Sequence, residues 1–158
     1  KKLTRIIEVA KRLKMNGYRF KMLWIGDGPD SNFYKEEIRK NKLQENIELL
    51  GRKQNPYPYF KISDCVILTS DYEGYPVVFL ESFILNKPII TTKVSDYEQV
   101  EGKYGYVTDK SIDDIYEKMK LFIEKGFDIK QEFDANQYNS EIIKKLERIF
   151  WKAKKWQE

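Results

Sequence analysis

The sequence predicts an α/β fold, with short parallel strands alternating with helices that doubly wind around a mostly parallel sheet. Three observations carry this. Several segments repeat apolar residues at helical spacing. Between them lie short runs that are nearly all apolar, and Gly, Pro or Asn closes most of those runs. Strands apolar throughout belong to a sheet covered on both faces, whereas a half-exposed antiparallel sheet would alternate. At 158 residues the chain is ample for one substantial core.

Taken in order, Leu3, Ile6, Ile7, Ala10 and Leu13 mark the inner face of a first helix, which Asn16-Gly17 ends. Phe20 to Ile25 reads as a buried strand running into Gly26-Asp27-Gly28-Pro29. Ser31 is placed to cap a second helix that reaches about Asn41, with Phe33, Tyr34 and Ile38 as its apolar positions. Asn46 to Gly51 is a second strand, and a short helix from Tyr57 to Ile62 follows Pro56. Asp64 to Thr69 is a third strand, Val77 to Leu85 a helix, and Pro88 to Thr92 a fourth strand. A weaker strand at Tyr104 to Val107 precedes an amphipathic helix from Ile112 to Ile123. A last helix from Asn139 to Trp156 follows the one plausible hinge, Lys125 to Asn139. We expect a single domain over residues 1–158, with further chain upstream, because the helical pattern begins almost at Lys1 and no Met precedes it.

Composition narrows the chemistry. The chain has no histidine and one cysteine, Cys65, so it cannot by itself form a Ser-His-Asp triad, a His-ligated zinc site or an intrachain disulfide. Catalysis must rest on carboxylates, backbone amides and Lys or Arg. The net charge of +4 permits an anionic ligand without demanding one. Basic residues are interspersed with acidic ones, as on solvated faces, so no nucleic-acid partner is expected. No apolar run approaches the roughly 18 residues of a membrane span, and the start does not read as a signal peptide. The basic, aromatic run Phe150 to Trp156 fits either a membrane interface or, as we favour, a helix packing its aromatics on protein.

In doubly wound sheets ligands sit beyond the carboxyl ends of the strands, which selects the loops Gly26 to Asp30, Ser70 to Pro76 and Lys93 to Tyr97. Gly26 and Gly28 either let backbone approach a ligand or serve a tight turn; Ser31 stands where a third glycine of a dinucleotide fingerprint would be. The second loop carries more. Glu73 precedes a helix and Glu81 lies on it, while Gly74 and Pro76 shape its entrance. The amides of Gly74, Tyr75, Val77 and Val78 are candidate anion donors. Glu81 sits among Leu80, Phe83, Ile84 and Leu85, so its carboxylate must be paired or reach a cleft. The plainer alternative is a solvated Glu81 with Glu73 merely complementing the helix dipole.

The segments Ile25 to Pro29, Ile47 to Gly51, Ser63 to Val66, Ser70 to Glu81 and Lys87 to Ile90, in this order, resemble the C-terminal, nucleotide-sugar-binding domain of retaining glycosyltransferases of the GT-B fold. The class is the large group 1 (family 4), and Glu73 and Glu81 match its E-x7-E motif. The resemblance implies a Rossmann-like C-terminal half of a hexosyltransferase. Glu73 would be the catalytic carboxylate that hydrogen-bonds the donor sugar, and Glu81 would bind the ribose. Gly26, Gly28, Gly74, Tyr75, Pro76, Val77 and Val78 would line the sugar and diphosphate, and the backbone of Leu49, Leu50 and Arg52 would border the base. Lys1 matches the family lysine that helps neutralise the diphosphate, whose companion arginine and strand would lie upstream.

The resemblance further implies a donor such as a UDP- or GDP-sugar, no cofactor and no bound metal. The partner would be an upstream N-terminal acceptor domain, the acceptor a glycan or lipid-linked molecule, and the location cytoplasmic or peripheral at the inner face of a membrane. The isolated chain is expected not to transfer sugar. Two departures bear on which sugar fits: Ser95-Asp96-Tyr97 replaces a Gly-Gly loop, and Glu81-Ser82-Phe83-Ile84-Leu85-Asn86 replaces a helix of small residues ending in Gly. Asn86 can still supply a left-handed helix stop. The rival reading is a non-catalytic, flavodoxin-like module; the acidic set of a phospho-acceptor domain is missing from the strand ends.

Overall fold

The computed structural model describes residues 3–154; Lys1 and Trp156 lie outside them. Helix α1 (Leu3–Met15) leads to β1 (Met22–Ile25), α2 (Ser31–Lys40), β2 (Ile47–Gly51) and α3 (Tyr57–Ile62). Then come β3 (Val66–Leu68), α4 (Val77–Ile84), β4 (Ile89–Thr92), β5 (Gly105–Thr108), α5 (Ile112–Lys125) and α6 (Ala135–Lys154), with a short 3-10 turn at Tyr97–Gln99.

Among the described residues every strand pairing is parallel, as the apolar runs predict, but the pairing forms two ladders. One joins β1 to β2, with Met22 opposite Ile47. The other runs β3-β4-β5, with Val66 opposite Ile89 and Ile89 opposite Gly105. A shared core unites them: Leu3, Ile6, Ala10 and Leu13 of α1 and Ile115 and Met119 of α5 pack with Ile47 of β2 and Ile90 of β4. A second cluster lies under α4, where Phe79 and Phe83 meet Leu68, Ile89, Val100 and Tyr104.

Helix ends explain where the elements stop. Asn86 has φ +52°, and the amides of Lys87 and Asn86 reach the carbonyls of Ser82 (2.8 Å) and Phe83 (3.1 Å). That paired pattern satisfies the last carbonyls of α4 and is the left-handed stop expected of Asn86. Gly17 ends α1 in the same way, with Tyr18 donating to Leu13.

Three expectations need correction. Ser31 is the first helical residue of α2; Asp30 occupies the capping position, without a side-chain cap bond. Phe33 is half exposed, leaving Ile38 as the buried residue of α2. The last helix starts four residues before Asn139, because the Asp134 carboxylate accepts the amides of Asn136 (2.8 Å) and Gln137 (3.0 Å) and so starts the helix there.

Candidate functional site

The carboxyl ends of β3, β4 and β5 carry a group of buried hydroxyls: Thr69 and Ser70 after β3, Thr91 and Thr92 in β4, and Thr108 in β5. The loop that carries Glu73 springs from this platform. Ser70 Oγ donates to Glu73 Oε1 at 2.6 Å, and Ser95 Oγ donates to the Glu73 carbonyl at 2.5 Å. Glu73 is therefore held at its side chain by the end of β3 and at its backbone by the loop after β4. Asp96, beside Ser95, adopts φ +60°, a left-handed conformation where the resemblance had suggested glycine.

The same loop is tied to α1. Arg5 Nη2 pairs with Asp71 Oδ1 at 2.5 Å and Nη1 donates to the Thr69 carbonyl at 3.3 Å. Arg5 thus places a guanidinium beside the Glu73 loop, a role the sequence reading did not give it. From beyond β5, Lys110 Nζ donates to the Asp71 carbonyl.

Pro76, with ψ +84°, is the residue at which the chain turns into α4. No side chain caps this end. Of the four amides expected to be free, that of Val77 donates to the Tyr75 carbonyl at 3.0 Å. The N–H groups of Gly74, Tyr75 and Val78 have no partner among the described residues. These three amides and the positive end of α4 form an anion-ready edge beside Glu73. The side chains here face elsewhere: Val77 is exposed and Val78 packs on the second cluster.

Glu81 is half-buried and accepts a hydrogen bond from the Tyr57 hydroxyl of α3 at 3.3 Å. It is paired, as its apolar neighbours required, and it bridges α4 to the helix that follows β2. Tyr57 was not singled out from sequence; an exposed tyrosine beside prolines gives no signal of such a contact.

Tyr75 reaches α6. Its hydroxyl meets that of Tyr138 on α6, in a crevice of about 310 Å³ floored by Phe83, Tyr104 and Phe133. Neither glutamate lines that crevice. Burial, and then the contact with Tyr75, push the Tyr138 hydroxyl up to about 12.

The remaining sequence candidates stand on the first ladder. Gly26 has φ +137° and its amide donates to the Gly51 carbonyl at 3.0 Å, closing the ends of β1 and β2 together. That conformation requires glycine. Gly28 is not left-handed, and its amide is taken by the Asp27 carboxylate at 2.8 Å. Leu49 packs into the first cluster, so only its backbone can face a ligand, whereas Leu50 is half-buried and Arg52 exposed. The site thus has two parts: Gly26, Gly28, Leu49, Leu50 and Arg52 on β1-β2, and Glu73 to Glu81 on β3-β4-β5. Tyr57, on the helix that follows β2, reaches Glu81 of the second part.

Residues 1–140 match the family model described as glycosyl transferases group 1. The chain belongs to the group 1 glycosyltransferases. Among its relatives is the uncharacterized glycosyltransferase MJ1059 of Methanocaldococcus jannaschii, 37% identical over 87 residues, which are 55% of this chain and 21% of that protein. The chain thus spans about a fifth of that relative's length. Among solved structures, the lipopolysaccharide outer core galactosyltransferase WaaB matches with a TM-score of 0.75 at 19% identity, over 92% of this chain and 45% of that one. Anabaena HepE, solved in complex with UDP, matches with a TM-score of 0.73 at 18% identity, over 92% and 44%. The group 1 chain therefore has the GT-B type of α/β domain, as the ordered motifs implied.

Proposed function

We propose that this chain is the donor-binding part of a retaining glycosyltransferase that takes a nucleoside diphosphate sugar. The observation that carries the reading is the row of unpartnered amides at Gly74, Tyr75 and Val78, flanked by Glu73 on one side and Glu81 on the other. A diphosphate is the anion that suits such an edge, because helix-start amides offer charge complementarity without a titrating group. Glu73 then accepts hydrogen bonds from the sugar hydroxyls, and Glu81, steadied by Tyr57, accepts those of the ribose. The base lies along the backbone of Leu49, Leu50 and Arg52, and Gly26 and Gly28 let their own backbone approach the sugar and diphosphate. UDP is the leading nucleotide, since HepE was solved with it.

Charge that develops on the leaving diphosphate is met by the fixed dipoles of these amides and by the cationic side chain of Lys1, a stabilisation that calls for no metal. The acceptor, a glycan or a lipid-linked molecule, is bound by a different part of the whole protein, and the isolated chain transfers no sugar. Among the described residues no helix is long and apolar enough to cross a membrane. A cytoplasmic location, free or at a membrane surface, suits a nucleotide-sugar donor.

NMR or calorimetric titration with UDP, GDP and ADP and with their hexose conjugates tests the reading. Shifts should centre on Gly74 to Glu81. Glu81→Ala should weaken every nucleotide by about 1–3 kcal/mol through loss of a charge-assisted bond. Glu73→Ala should weaken the sugar conjugate and spare the bare nucleotide. Equal losses for both ligands would refute the division of roles, and silence at Gly74 to Glu81 with every nucleotide would favour a non-catalytic module.

A further inference from the structure

We propose that Ser70 and Thr92 are positioning residues for Glu73, the inner links of a buried hydroxyl chain that fixes the carboxylate before any ligand arrives. The chain starts in β4 and passes to the end of β3. Thr108 Oγ1 in β5 gives its proton to the Asp109 carbonyl at 2.8 Å and stands outside it, while Thr91 Oγ1 donates to the Thr92 carbonyl at 3.0 Å. Thr92 Oγ1 donates to the Ser70 carbonyl at 2.6 Å, and Ser70 Oγ donates to Glu73 Oε1 at 2.6 Å. Ser70, Thr91 and Thr92 are fully buried, so water does not compete for the bonds that Thr91 and Thr92 donate, and the Ser70–Glu73 bond is part-buried.

Each hydroxyl has a single proton to give. Ser70 spends its proton on Glu73, and its backbone is in turn held by Thr92. One carboxylate oxygen of Glu73 is thereby anchored to the sheet while Oε2 is left for a ligand. Ser95, donating to the Glu73 carbonyl, stops the backbone from following the side chain if it swings. A free glutamate would have to give up its rotamer freedom on binding a sugar, and an anchored one has already done so. The role rests on the reading of Glu73 as the sugar contact, and it makes the hydroxyl chain responsible for how well the site tells a sugar nucleotide from a bare nucleotide.

The test measures the ratio of affinities for a UDP- or GDP-hexose and for its bare nucleotide. Ser70→Ala and Thr92→Val should each lower that ratio about fivefold with the nucleotide affinity unchanged, the size of one net hydrogen bond. Thr92→Ser, which keeps the hydroxyl, should restore it. Thr92→Val is nearly isosteric, so the result is readable even if Ser70→Ala folds poorly. In the unliganded chain, the Glu73 carboxylate carbon resonance should shift in both variants and return in Thr92→Ser. If Glu73→Ala lowers the ratio but Ser70→Ala and Thr92→Val do not, the positioning role is overturned and the donor reading stands. If Glu73→Ala itself leaves the ratio unchanged, the donor reading falls and this inference with it.

Discussion

At the scale of single residues, the site helix holds one atom that works against stability. Ser82 Oγ is buried with no hydrogen-bond partner among the described residues. A lone hydroxyl in that position loses its water without recompense, and serine is a poorer helix former than alanine. Ser82→Ala should therefore stabilise the chain by about 1 kcal/mol, visible as a higher urea midpoint with an unchanged slope. A lower midpoint would mean that the hydroxyl has a partner in solution. The neighbouring Glu81 shows the opposite case. Its need for a partner was legible from four apolar neighbours, yet the partner, Tyr57, was not, because it comes from a helix 24 residues away in sequence. The same holds for Ser70. It stood in plain view three residues before Glu73, but nothing in the spacing says that its hydroxyl turns toward the carboxylate.

At the scale of elements, boundaries set by local chemistry were legible and those set by distant contacts were not. Pro76 and Asn86 bracket α4, and both act through their own backbone preferences, so the helix lies where the sequence placed it. Tyr57–Ile62 likewise follows a proline and matches its expected range. The third strand is shorter than its apolar run, because only Val66–Leu68 find a ladder partner in β4. The division into two ladders was equally hidden, since which strands pair is a non-local property. Within the second ladder one residue admits a sharp test. A Cβ added to Gly105 would come within 1.8 Å of the Ile89 carbonyl oxygen, a backbone atom in the adjoining strand. The clash cannot be relieved by a side-chain movement, so β4 and β5 must separate locally. Gly105→Ala should cost at least about 3 kcal/mol, the upper range for overpacking. It should also raise hydrogen exchange at Ile89 and Ile90, whereas Gly28→Ala, with open space around it, should do neither.

At the scale of the whole molecule, two tyrosine hydroxyls join parts of the chain far apart in sequence, and they make stability depend on alkaline pH. Tyr18, just after α1, donates to Glu124 on α5, and that bond is the main reason its hydroxyl is raised to about 12. Tyr138 on α6 is raised to about 12 by burial first and by Tyr75 second. In the unfolded chain both hydroxyls titrate near 10.0. Between the two values the folded chain holds protons that the unfolded chain has released, so stability falls as pH rises. The contribution is complete below pH 10 and gone above about 12. Both groups have solvent access, which makes each effect small, and lysines titrate over part of the same range. Comparison with variants isolates the tyrosines: Tyr18→Phe and Tyr138→Phe should each flatten the decline of the unfolding midpoint across that window while leaving the neutral-pH slope unchanged. Tyr138→Phe carries a second consequence, because Tyr138 meets Tyr75 two residues from Glu73. If α6 steadies the Glu73 loop through that contact, the variant should increase hydrogen exchange at Gly74 and Tyr75, and Tyr18→Phe should not. Equal exchange in the two variants would show that α6 and the loop move independently.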